Sequence, residues 1–223
     1  MRISDLGYEI VPECLSNQEC EEIVEVLSVD AGSRGRAGAR HLMKNPTVSG
    51  LANDNRLTEL AGACLGCLAV PFRATLFEKS GTANWLIPWH QDTALPLMER
   101  FDLAGWGPWS QKAGASYAHA PAWALSRVIA LRVHLDASDA DNGPLRVIPR
   151  SHLGGVLSDQ TVLEVVSTND SVECCVPQGG VIAMRPLIIH SSSKVRSTKS
   201  RRVLHIEYAD SLDFADGVRL AVV

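Results

Sequence analysis

The chain has 223 residues, 46% of them hydrophobic, with 21 Lys and Arg against 25 Asp and Glu for a net charge of -4. That length is enough to bury a sizeable core, and for a β-rich fold it calls for no more than one domain, residues 1–223. No basic block is able to neutralise a run of phosphates, which excludes nucleic acid as an expected partner.

The opening, "MRISDLGYEIVPECL", lacks a basic region followed by a long apolar segment, and no window approaches the roughly 18 apolar residues of a membrane span. A cytoplasmic protein without membrane attachment is expected, and its six cysteines are expected as free thiols. In "LSNQECEEIVEVLS", Ser16 and Glu19 form a capping box ahead of the apolar stripe Ile23, Val24 and Leu27, which predicts a helix from about 17 to 28. The Gly- and Arg-rich "DAGSRGRAGARHLMKNP" reads as a loop. "NRLTELAGACLGCLAV" reads as a second helix and completes a helical N-terminal part of about 1–70. Within it, Cys64 and Cys67 form a C-x-x-C with no second pair downstream, so they are taken as core cysteines rather than a zinc or redox site.

Beyond residue 70 the character changes to short β-branched runs: "FRATLFEK", "RVIALRVHL", "PLRVIP", "SVECCVP", "GGVIAMRPLIIH" and "RRVLHIEYA". Turn signals such as "DADNGP" and "PQGG" separate them, the pattern of a sandwich or closed barrel. The segment from about 98 to 126 interrupts this pattern with Trp106, Trp109 and Trp123 among glycines and prolines. A long connection inside a compact domain is usually functional, so it is expected as a lid over the site, with a surface flap or an interface between copies as the competing reading.

The candidate chemistry starts in "NWLIPWHQDTALPL", where His90 and Asp92 stand two apart. In an extended segment those side chains project to one side and can reach one metal ion. A third ligand would complete the 2-His-1-carboxylate set of non-haem Fe(II) oxygenases. Alone, an H-x-D is a weak signal, and the chain holds a second one at His134 and Asp136. The distal candidates are His152, His190 and His205. Context favours His190, which is expected to end an apolar strand and which has Arg201 eleven residues on, opening the next strand. An arginine there can hold a carboxylate bidentately, as a dicarboxylic cosubstrate requires.

The ordered stretches "WHQD", "LDASDADNGPLRVIPRSH", "GGVIAMRPLIIHSSS" and "RRVLHIEYA", with the opening "GYEIVPECLS", resemble the motifs of the phytanoyl-CoA dioxygenase family of Fe(II)/2-oxoglutarate oxygenases. The resemblance covers most of the chain and is least in 98–126. It implies a mainly β fold with flanking helices, a double-stranded β-helix of the jelly-roll, cupin-like kind. It further implies Fe(II) held by His90, Asp92 and His190, 2-oxoglutarate paired with Arg201 and assisted by Ser192, and dioxygen as oxidant. His134 and Asp136 then fall in the strand and turn after the metal pair. At Arg132 the chain departs from better-known members, which tend to carry tryptophan. A second cation beside 2-oxoglutarate, a contact to an acidic substrate and a buried ion pair all stay open for it. With Asp92 in place of the small residue of related halogenases, the implied reaction is hydroxylation or another oxidation without halide.

Strand parity extends the reading. If Arg201 faces inward, so do Val203, His205 and Glu207, while Leu204, Ile206 and Tyr208 pack outward against helices; Arg132 likewise carries His134 inward. His134, His205 and Glu207 are therefore candidates for substrate contact or for a polar network behind the metal. Asn84, Trp85, Trp106 and Trp109 are further candidate pocket residues, and Lys79 reads as a solvated charge. The partner is a small molecule of unspecified identity, in an oligomeric state the sequence leaves open. Two alternatives stand beside the oxygenase: an iron-dependent cupin-like enzyme that does not use 2-oxoglutarate, with Arg201 structural, and a non-catalytic small-molecule-binding barrel.

Overall fold

Local signals account for the first elements of the computed structural model, which describes residues 3–29, 34–35, 38–80, 84–197, 199–214 and 217–223. A short helix α1 (Ile3–Leu6) and strand β1 (Tyr8–Val11) precede α2 (Asn17–Val29). The expected capping box starts α2: the Ser16 amide donates to Glu19 Oε2 at 2.7 Å and the Glu19 amide donates to Ser16 Oγ at 3.2 Å. Part of the glycine-rich run expected as loop lies outside the described residues; the rest contributes β2 (Arg34–Gly35) and β3 (Gly38–Arg40). Helix α3 (Pro46–Ala52) is capped by Asn45 with proline in its first turn, and α4 (Asn55–Leu65) is capped by Asp54. The second predicted helix stops at Leu65 rather than running to 70, because Gly66 takes a left-handed φ of 79° and closes the C-terminus.

The strands follow as β4 (Val70–Lys79), β5 (Ile87–His90), β6 (Ala94–Leu97), β7 (Trp109–Lys112) and β8 (Ala115–His119). After helix α5 (Ala122–Leu125) come β9 (Val128–His134) and β10 (Leu145–Val147). Helix α6 (Asp159–Thr168) then leads to β11 (Val172–Cys174), β12 (Val181–Met184), β13 (His190–Ser192) and β14 (Arg201–Ala209). Helix α6 is not among the elements expected from the sequence, although Ser158 caps it and Val162, Val165 and Val166 form a short apolar stripe at i, i+3 and i+4.

A seven-stranded sheet runs β1-β12-β9-β14-β4-β3-β2, a four-stranded sheet runs β11-β10-β13-β5, and β6-β8-β7 form a third. The two larger sheets face each other through Ala130, Ile182 and Met184 on one side and Leu145, Val147 and Ile188 on the other. This is the double-stranded β-helix, mainly β with its helices on the outside. The outer face of the large sheet buries Leu131, Val133, Leu204, Ile206 and Tyr208 against Ile23, Leu27, Val48, Leu57 and Cys64 of α2, α3 and α4. Each such side chain contributes roughly 1.5–3 kcal/mol by leaving water. The Tyr208 hydroxyl donates to the Ala52 carbonyl at 2.9 Å, satisfying its one polar atom.

Two expectations are corrected. His190 does not end an apolar strand: β12 stops at Met184, the chain turns through Arg185–Ile189, and His190 begins β13 in the other sheet. Pro186, which has no N–H to add to a ladder, lies in that crossing. Nor is 98–126 a loop without structure, since β7 and β8 form a hairpin on β6.

No helix among the described residues is long and apolar enough to cross a membrane. All six cysteines are free; Cys64 packs in the core, whereas Cys67 is exposed just past the end of α4.

Candidate active site

Pairing between strands sets the geometry of the site. His90 at the end of β5 and His190 at the start of β13 are direct cross-strand partners, which brings their ring centroids to 4.3 Å. Asp92 follows β5 by two residues, its amide tied to the Pro186 carbonyl at 2.9 Å. Its carboxylate oxygens lie 3.7 Å from His90 Nε2 and 3.5 Å from His190 Nε2. One ligand atom from each of the three lies within 4.8 Å of the others.

Protonation fits a metal as well. His90 Nδ1 is 2.8 Å from the Pro88 carbonyl and His190 Nδ1 is 3.0 Å from the Ile188 carbonyl. A carbonyl only accepts, so both Nδ1 atoms carry the hydrogen and both Nε2 lone pairs face the gap. Burial draws the His190 pKa down to about 4, leaving a neutral imidazole. Burial alone would raise Asp92, but His190, His205, His90 and Arg73 around it hold the carboxyl well below the usual carboxylate range. Neutral imidazoles and an ionised carboxylate are the states a cation such as Fe(II) needs.

The three ligands open onto a cavity of about 360 Å³ between the sheets. Inward-facing residues of β4, β9 and β14 stack in layers across it. Arg201 pairs in register with Lys79, Val203 with Phe77 and His134, His205 with Thr75 and Arg132, and Glu207 with Arg73 and Ala130. The parity expected for β14 and β9 is the one observed.

Behind Arg132 on the cavity wall gather two more basic side chains that do not line it, Lys79 and Arg201, and among the described residues none of the three forms an ion pair. Arg201 is 2% exposed and Lys79 1% exposed. The hydroxyl of Ser192 joins them, accepting from Lys79 Nζ at 2.8 Å and from Arg201 Nη2 at 3.2 Å, and donating to the Gly143 carbonyl at 2.8 Å. Gly143 has a φ of 70°, and a Cβ there would fall 2.4 Å from the Ser193 carbonyl oxygen, so the close approach requires glycine. Among the described residues, Arg201 Nε and Nη1, Arg132 Nε and both ring nitrogens of His134 are buried without a hydrogen-bond partner. Burial and the neighbouring Arg132 pull Arg201 down to about 9; burial, Arg201 and Arg132 pull Lys79 down to about 7. Unpaired buried donors and mutually repelling cations mark a place built for an anion with several oxygens.

Arg132 is not in a buried ion pair. Its Nη1 donates to His205 Nδ1 at 3.1 Å and its guanidinium lies 5.3 Å from the Phe77 ring centre. Glu207 forms an ion pair with Arg73. His134 is fully buried between Arg132 and Arg201, and burial first, then those cations, keeps it neutral.

The second H-x-D separates cleanly from the first. Asp136 takes Arg202 in a fork, with Nε to Oδ2 and Nη2 to Oδ1 both at 2.7 Å, an ion pair on the outer side of the sheet. His152 sits in a turn, its Nε2 3.3 Å from the Ser4 carbonyl.

Asn84 clamps the Val195 backbone in both directions, at 2.8 and 2.9 Å, and Trp85 lies 5.7 Å from Lys79 Nζ. Trp85 thus covers the Lys79 ammonium, and neither residue lines the cavity. Trp106 and Trp109 lie elsewhere, edge-on to Phe101 in an aromatic cluster beneath the hairpin. It is the polar side of that hairpin, Lys112, Tyr117 and His119, that faces the cavity. Lys79 is not a solvated charge. It shares with Arg73, Thr75 and Phe77 the inward parity of β4, and that alternation in "FRATLFEK" is the signal from which all four are readable.

The family model described as phytanoyl-CoA dioxygenase (PhyH) matches residues 4–203. No curated protein sequence matches the chain. AviO1 from Streptomyces viridochromogenes Tue57 superposes with a TM-score of 0.66 at 23% identity, over 94% of this chain and 92% of its own. EctD from S. alaskensis, in a crystal structure with 2-oxoglutarate and 5-hydroxyectoine, gives 0.69 at 19% identity over 93% and 73%. HygX from Streptomyces hygroscopicus, with nickel and 2-oxoglutarate bound, gives 0.66 at 15% over 95% and 85%.

Proposed function

The chain belongs to the phytanoyl-CoA dioxygenase family, and from that premise we propose that it is an Fe(II)- and 2-oxoglutarate-dependent oxygenase that hydroxylates a C–H bond of a small organic molecule, releasing succinate and CO2. The observation that carries this reading is the convergence of His90, Asp92 and His190, both Nδ1 atoms already occupied, beside a buried arginine with two unused donors.

When bound, iron with 2-oxoglutarate and dioxygen supplies the oxidising power for the C–H bond. The rest is the work of this chain. His90, Asp92 and His190 would hold the metal, and the carbonyls of Pro88 and Ile188 keep the imidazoles in the ligating tautomer. Arg201, whose Nε and Nη1 have no partner among the described residues, would hold the far carboxylate of 2-oxoglutarate, with Ser192 on its remaining nitrogen. Lys79 adds a second cation to that end, and Arg132, oriented by His205 and Phe77, adds a third nearer the metal. The sheets exclude water from this end, which strengthens each of these contacts. His134, His205 and the Arg73–Glu207 pair form the polar wall behind the site.

The cupin-like alternative without 2-oxoglutarate makes Arg201 structural, yet a structural arginine at 2% exposure would be expected to have a carboxylate partner, and Arg201 has none among the described residues.

Purified protein with Fe(II), ascorbate and 2-oxoglutarate should yield succinate, and Asp92→Ala should lose iron and succinate together. Metal binding without succinate under any condition would favour the cupin-like alternative, and no metal binding would favour the non-catalytic barrel. Full iron affinity in Asp92→Ala would remove Asp92 from the triad.

A further inference from the structure

The outer half of the cavity carries more positive charge than iron and 2-oxoglutarate require. The inner cluster of Arg201, Lys79 and Arg132 suffices for a dianion. Further out, Arg73 is already neutralised by Glu207. Arg40 of β3 and Lys112 at the end of β7 also line the cavity, and among the described residues neither makes an ion pair. The ammonium of Lys112 lies 4.9 Å from the Tyr117 ring centre, and the Tyr117 hydroxyl is held 2.9 Å from His41 Nε2. Among the described residues Asp92 is the one carboxylate on the cavity wall, and it faces His90 and His190. Burial, then Arg73 and Arg40, depress the Lys112 pKa, with Asp92 and Glu207 opposing them. All this sits in a chain whose net charge is -4.

We infer that the mouth of the cavity is an anion subsite in which Lys112 and Arg40, beside the Tyr117 hydroxyl, hold the acidic group of the substrate. The substrate is then a small organic acid, a carboxylate or a phosphate or sulfate ester, presented to the metal by its charged end. This inference rests on the iron and 2-oxoglutarate reading above. A cavity of about 360 Å³, shared with the cosubstrate, lies near the lower end of the roughly 300–1,000 Å³ of ligand sites and encloses only a small molecule. The half-buried ammonium of Lys112, assisted by the exposed Arg40, favours an anion over a neutral analogue, which would leave that ammonium unpaired.

The test uses protein loaded with Ni(II) and 2-oxoglutarate, titrated by calorimetry at low salt with acetate, inorganic phosphate and neutral acetamide. Acetate or phosphate should bind at least about tenfold more tightly than acetamide, and the double variant K112Q/R40Q should lose at least that factor. The preferred anion distinguishes a carboxylic acid from a phosphate or sulfate ester. Equal binding of acetamide and the anions, or unchanged anion binding in the double variant, which would indicate attachment to the metal, overturns the subsite. Retained 2-oxoglutarate uptake reports that the variant is folded. Failure of the wild type to take up nickel and 2-oxoglutarate would sink the oxygenase reading together with this one, whereas uptake without preference for anions would sink this one alone.

Discussion

Replacing Arg201 by methionine keeps most of the side chain's apolar volume and removes its charge. In the structure Nη2 holds Ser192 at 3.2 Å, and Nε and Nη1 have no partner among the described residues, so two donors are left for the cosubstrate carboxylate. Hydrogen bonds to charged groups contribute roughly 1.5–3 kcal/mol each, but Lys79 Nζ, 2.8 Å from the same hydroxyl, remains to compensate. A loss of about 2–4 kcal/mol is expected, a 2-oxoglutarate Kd raised roughly 30- to 1,000-fold. The cofactor-free protein should behave oppositely. Arg201 stands at about 9 instead of 12.5 because burial and Arg132 oppose its charge, a penalty on the order of 5 kcal/mol that methionine lifts. Arg201→Met should therefore melt no lower than wild type without ligand, and gain less from 2-oxoglutarate. Anaerobic calorimetry with Ni(II) and thermal melts measure both quantities. An affinity within about threefold of wild type would refute the carboxylate role, and loss of nickel binding would show that Arg201 supports the metal instead.

Lys79 should make cosubstrate binding depend on pH. Its folded pKa of about 7 lies below the ordinary lysine value of 10.5, so between those values the unfolded chain holds a proton the folded protein has released. Stability of the cofactor-free protein relative to Lys79→Met should accordingly rise with pH through that window and be least below pH 7. A bound dianion restores the charge, so near pH 8 binding should take up close to one proton, read from calorimetry in buffers of different ionisation enthalpy; no uptake in wild type would contradict this. Removing one partner of the ion pair between Arg73 and Glu207, whose side chains are 14% and 2% exposed, strands a buried cation. Glu207→Ala should lose roughly 3–5 kcal/mol in urea unfolding, and a loss under about 1 kcal/mol would mean the pair is solvated. Tyr208→Phe, which removes the hydroxyl bonded to Ala52, should cost about 1 kcal/mol in the same assay.

The His90 and Asp92 pair and the inward face of β14 were readable from the chain because they rest on short-range geometry. Two side chains two apart on an extended segment share a side whatever the fold, and Arg201, His205 and Glu207 alternate with the apolar Leu204, Ile206 and Tyr208. The capping box before α2 was readable for the same reason, since it closes within three residues. What spacing could not supply was which strands lie beside each other. That His190 opens β13 opposite His90, with Arg201 on the other sheet, follows from pairings about 100 residues apart in the chain. Tertiary structure also decided the fate of like residues: Lys79 is buried against Ser192, while Lys199 remains at the surface beside Asp139. It turned the tryptophans of 98–126 into an aromatic cluster under the hairpin and left Lys112 and Tyr117 to face the cavity. Whether a charge is solvated or desolvated depends on what packs around it, and that is a property of the assembled sheets, not of any local run of residues.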